Sequence, residues 1–70
     1  MNGNEFIRKI KKVGSQRDVA VWVHARRGKG SHRLLYFGDR RTTIKYPKKE
    51  IGPGLLAKML RQLGLTKGDL

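Results

Sequence analysis

Val19-Ala20-Val21-Trp22-Val23-His24 places a β-branched residue at every second position. A period of two belongs to a strand and not to a helix. Apolar residues occupy both parities here, which predicts a strand covered on both faces for part of its length. Further on, Leu34-Leu35-Tyr36-Phe37 reads as a second apolar strand. Gly38-Asp39-Arg40 reads as a tight turn. Residues 41–46 follow as a third strand, with Thr42, Thr43, Ile44 and Tyr46 supplying β-propensity and a polar alternation that predicts one wet face.

Outside this central block the period changes. Phe6, Ile7, Ile10 and Val13 recur at helical spacing, with Arg8, Lys9, Lys11 and Lys12 between them. This predicts a helix over residues 4–13, capped by Asn4 or Asn2 and stopped by Gly14 at the C′ position. Ser15-Gln16-Arg17-Asp18 would then be a polar link. Pro47 ends the third strand, and residues 48–52 form a loop. Pro53 suits the first turn of a second helix. Leu55, Leu56, Met59, Leu60 and Leu63 form its apolar stripe, and Gly64 stops it. The predicted order is helix, three antiparallel strands, helix. Packing both helices on one face of the sheet is the economical α+β solution.

Seventy residues form one domain, residues 1–70, with a small core. Seventeen Lys and Arg oppose five Asp and Glu, a net charge of +12. Such a surface attracts polyanions, nucleic acid first among them. The longest purely apolar run, residues 19–23, is far too short to span a bilayer. The first residues lack a basic segment followed by an apolar one, so no signal peptide is expected and the cytoplasm is the default location. There is no cysteine, which removes disulfides and thiolate–zinc sites.

One stretch carries candidate chemistry: Arg26-Arg27-Gly28-Lys29-Gly30-Ser31-His32-Arg33. Histidine transfers protons near neutral pH. The glycines allow close backbone approach, and their N–H groups can form an anion nest. Arg27, Lys29 and Arg33, with Gly30 and Ser31, would hold a phosphate beside His32. Metal-assisted cleavage calls for clustered carboxylates or histidines. Here Glu5, Asp18, Asp39, Glu50 and Asp69 are scattered, and His24 and His32 lack helical ligand spacing, so no metal or other cofactor is expected. The remaining route is attack by the 2′-hydroxyl of RNA on its own phosphodiester, which DNA cannot follow. The other reading of the same stretch is a plain connection between strands, with His32 only opening the next one.

Lys48 and Lys49 stand just before the second helix, whose N-terminal end favours anions, and they are further phosphate candidates. Trp22 and Phe37 read as core, and His24 as structural. Tyr36 shares parity with His32 and is placed to line the same surface.

Gly30-Ser31-His32 between the first two strands, then Pro47, Gly54-Leu55 and Leu60-Arg61-Gln62-Leu63-Gly64-Leu65, resembles the HicA family of mRNA interferase toxins over most of the chain. The resemblance implies an α-β-β-β-α fold like that of double-stranded-RNA-binding domains. It implies cleavage of mRNA, with the histidine of the Gly-Ser-His motif, His32, as the catalytic residue. A HicB-type antitoxin that covers the active surface is implied too. Many family members carry another histidine soon after the proline that ends the third strand, whereas Pro47 here precedes Lys48 and Lys49. The alternative function on the same fold is an RNA-binding module without catalysis.

Overall fold

The computed structural model describes residues 1–25 and 32–70. Helix α1 spans Gly3–Arg17. Its start is a reciprocal cap: the Asn2 side chain accepts from the Glu5 N–H at 2.9 Å, and Glu5 accepts from the Asn2 N–H at 3.0 Å. Two of the helix's otherwise unpaired donors are satisfied in this way.

The helix does not stop at Gly14. It runs a further turn, and Asp18 ends it in the left-handed region at φ 56°, with the Val19 N–H donating to the Gly14 carbonyl at 2.8 Å. Aspartate is among the few residues with a side chain that visit this region routinely. Gly14 serves packing instead. A β-carbon there would lie 2.3 Å from Cγ2 of Val21 and 2.7 Å from the Val19 carbonyl oxygen. The helix crosses the first strand too closely for any side chain.

Strands β1 (Val21–Ala25), β2 (Arg33–Phe37) and β3 (Arg40–Ile44) form an antiparallel sheet in the order β1-β2-β3. Arg40 belongs to β3, while Lys45 and Tyr46 lie beyond it. Val23, Leu35 and Thr42 stand opposite one another on the inner face; Trp22, Tyr36 and Arg41 do so on the outer face. Helix α1 lies over β1 and β2, and α2 (Pro53–Gln62) lies over β3. Gly64, at φ 74°, ends the turn after α2.

Both helices therefore cover one face. Phe6, Ile10, Leu35, Leu60 and Leu63 are fully buried between them and the sheet, each contributing about 1.5–3 kcal/mol by removal from water. Thr42 is the one buried polar residue among those described, and its hydroxyl bonds Oε1 of Gln62 at 2.6 Å. That contact ties β3 to the end of α2.

No helix among the described residues lies on the outer face. Trp22 is 47% exposed and Leu55 53% exposed, so neither joins the core. The apolar parity that includes Trp22 signals an exposed face rather than a second covering layer. Phe37 is buried as expected. At the C-terminal end, a 3₁₀ turn (Lys67–Asp69) is closed by Thr66, and Asp69 pairs with Arg17 of α1.

Candidate functional site

The segment after β3 is held against the start of α1. The Asn4 N–H donates to the Pro47 carbonyl at 2.9 Å, and the Ile51 N–H donates to the Met1 carbonyl at 2.8 Å. Gly3 makes this approach possible, because a β-carbon there would lie 2.7 Å from Cα of Pro47 and 2.6 Å from Cγ2 of Ile44. An open groove of about 450 Å³ results. Asn4 and Ile7 of α1 form one wall, Pro47, Lys48 and Lys49 another, and Arg33 closes it from the start of β2.

Tyr46 is the hub of this groove. It is 54% exposed. The Lys49 ammonium sits 4.8 Å from its ring centroid, a cation–π contact. His32 meets the same ring edge-on, with centroids 6.1 Å apart and planes at 87°. Arg33 bonds back to the His32 carbonyl at 3.2 Å, which steadies the backbone that carries the imidazole.

Four of the sequence-derived site residues are thus brought together: His32, Arg33, Lys48 and Lys49. They come from two places far apart in the chain, joined through Tyr46. The other four, Arg27, Lys29, Gly30 and Ser31, lie outside the described residues. Lys48 and Lys49 line a groove with the start of α1 rather than with α2; Lys49 alone also reaches a second cavity of about 220 Å³ beside Leu55 and Met59. His24 is exposed on the outer face of β1, away from the core.

Sequence reasoning missed Tyr46 as the hub and Asn4 and Ile7 as walls. An aromatic immediately before a strand-ending proline was the available signal for Tyr46. No pattern along the chain pairs Asn4 with Pro47.

Three cations line the groove, and no carboxylate among the described residues does. Glu5, next to Asn4 in the chain, is engaged in the helix cap, and Glu50, next to Lys49, pairs with the N-terminal amine. The Glu5 carboxyl is held below the ordinary glutamate range, first by the backbone N–H of Asn2 that bonds its charged form. The arrangement can hold an anion and present an imidazole at its rim. Among the described residues no three His, Asp or Glu side chains gather as metal ligands.

A strongly basic α-β-β-β-α protein with both helices on one sheet face has the architecture of double-stranded-RNA-binding domains. The chain adds a cationic groove with a histidine at its edge. The family model described as HicA toxin of bacterial toxin-antitoxin matches residues 3–65, nearly the whole chain, and the chain belongs to that family. It is a toxin of a toxin–antitoxin system, and the family implies an antitoxin partner. Comparison with curated proteins finds no match, and comparison with solved structures finds none. No helix among the described residues is long and apolar enough to cross a membrane.

Proposed function

We propose that this toxin is a metal-independent endoribonuclease that cuts mRNA in the cytoplasm, with His32 as its general acid/base. The observation that carries the reading is the meeting of His32 with Arg33, Lys48 and Lys49 around Tyr46. The 2′-hydroxyl of the substrate loses its proton to the imidazole and attacks the adjacent phosphorus. The P–O5′ bond breaks as the imidazolium returns its proton to the leaving 5′-oxygen, giving a 2′,3′-cyclic phosphate on one fragment and a 5′-hydroxyl on the other. Guanidinium and ammonium groups stabilise the charge that builds on the phosphorane. Arg27, Lys29, Gly30 and Ser31 extend the phosphate-binding run next to His32. One positioned acid or base supplies about 10²–10⁴-fold, which makes this a slow enzyme.

The partner follows from the same charge. A HicB-type antitoxin would present acidic residues to the groove and block it. A purified acidic neighbour-encoded protein should bind tightly and stop cleavage.

The test is RNA cleavage by wild type and by His32→Ala with EDTA present. Cleavage by wild type alone, ending in a cyclic phosphate, supports the reading. Should both proteins bind RNA and neither cut it, the chain is a binding module on the same fold.

A further inference from the structure

We propose that the helix-free face of the sheet is a stacking surface for an unpaired base of single-stranded RNA, with Trp22 as the stacking residue. This rests on the RNA reading above and adds a second contact to it. Trp22 and Tyr36 face each other across β1 and β2, with ring centroids 4.8 Å apart and planes within 8°. Across the three strands the outer row reads Trp22, Tyr36, Arg41. Tyr36 has a neighbour on each side. Trp22 stands on the edge strand and, among the described residues, has one only, so its indole is braced by Tyr36 and still 47% exposed.

Charge selects the occupant. Among the described residues the outer-face strand positions are Trp22, His24, Leu34, Tyr36, Arg41 and Thr43, which include a cation and no carboxylate. A second copy of a chain carrying +12 would be repelled. A polyanion with flat apolar bases matches both properties, since base–aromatic stacking is tolerant of sequence.

His32, at the edge of the groove, immediately precedes β2, whose outer face carries Leu34 and Tyr36. Leu34 and Tyr36 share parity with His32, and Tyr36 lies four residues further along the chain. At about 3.4 Å per residue that is roughly 14 Å. A strand with its scissile phosphate at His32 reaches the stack within a few nucleotides.

Trp22 is the single tryptophan of the chain, so its fluorescence reports the contact directly. The probe is an uncleavable 2′-O-methyl oligoribonucleotide of about twelve nucleotides, within the ~4–16-nucleotide site sizes of single-strand-binding folds. Saturable quenching is expected. Trp22→Ala should weaken binding about 5- to 150-fold, the range of one lost base stack, with the salt dependence unchanged. Trp22→Phe should restore most of the affinity. Trp22→Leu keeps apolar bulk on the sheet, and should behave like Ala in binding while melting close to wild type.

Unchanged fluorescence at saturation, or wild-type affinity in both the Ala and Leu variants, overturns the stacking role. So does a Trp22-dependent oligomer of the free protein, which would make the face a self-association surface. If the variant lacking Arg33, Lys48 and Lys49 loses affinity while the Trp22 variants do not, the groove reading stands and only the stack fails. If none of them loses affinity, the RNA reading fails with it.

Discussion

Replacing Arg33, Lys48 and Lys49 together by alanine should flatten the salt dependence of RNA binding. All three line one groove and no carboxylate among the described residues competes there. Each phosphate neutralised on a single strand contributes about −0.7 to the slope of log K against log salt. Three contacts give a slope change of about 2. Between roughly 50 and 200 mM salt, that portion of the affinity falls about 15- to 20-fold in wild type and is absent from the variant. The assay is fluorescence anisotropy of a labelled, uncleavable oligoribonucleotide at several salt concentrations. A control variant removes equal charge elsewhere: Lys11, Lys58 and Arg61 are exposed on the two helices and none lines the groove. Its slope should change by less than 1. Equal changes in the two variants would refute a phosphate site at the groove, leaving only the diffuse field of the +12 chain.

Gly14→Ala should destabilise the protein by about 1–3 kcal/mol through overpacking against Val21 and the Val19 carbonyl; at about 4–8 °C per kcal/mol for a domain this size, its melting midpoint drops visibly in a thermal scan. Leu60→Ala, at a fully buried site, should cost about 2–5 kcal/mol by denaturant titration. Acidification should destabilise the fold through Glu5 and Asp69. Both carboxyls are lowered chiefly by a backbone N–H, from Asn2 and Thr66 respectively, and Arg17 adds to the second. The unfolded chain binds these protons more readily, so their contribution is full above the ordinary carboxylate range and is lost as pH falls through the lowered values. A Glu5→Gln, Asp69→Asn double variant should show a shallower loss of melting temperature with acid, and an unchanged loss would contradict the assignment.

The elements were legible because each follows a local rule. Alternating valines mark β1, the four-residue apolar spacing marks both helices, and Pro47, Pro53 and Gly64 punctuate the second half. What stayed hidden depends on approach between distant segments. Gly14 looks like a helix stop when only the chain is considered, because a C′ glycine and a glycine at a helix–strand crossing have the same letter. The αL residue is Asp18 instead, four positions on. Trp22 looks like core because it lies among valines. Its parity, opposite Tyr36 and not Leu35, decides otherwise.

The candidate site shows the same division more sharply. His32 and Arg33 were visible as chemistry and Lys48 and Lys49 as charge; the antiparallel β2–β3 register, which pairs Arg33 with Ile44, sets the two pairs at the same end of the sheet. The groove beside them depends on hydrogen bonds that hold the segment after β3 to the N-terminal turn, from the Asn4 N–H to the Pro47 carbonyl and from the Ile51 N–H to the Met1 carbonyl. Those bonds in turn need Gly3, where any side chain would strike Ile44 and Pro47. The N-terminal turn of α1 is thus a wall of the groove as well as a start for the helix. A Gly3→Val substitution tests this coupling. It should leave the chemistry of His32 untouched yet push Pro47 outward, weakening RNA binding together with stability. Loss of stability with full RNA affinity in the folded fraction would show that the groove does not depend on this contact.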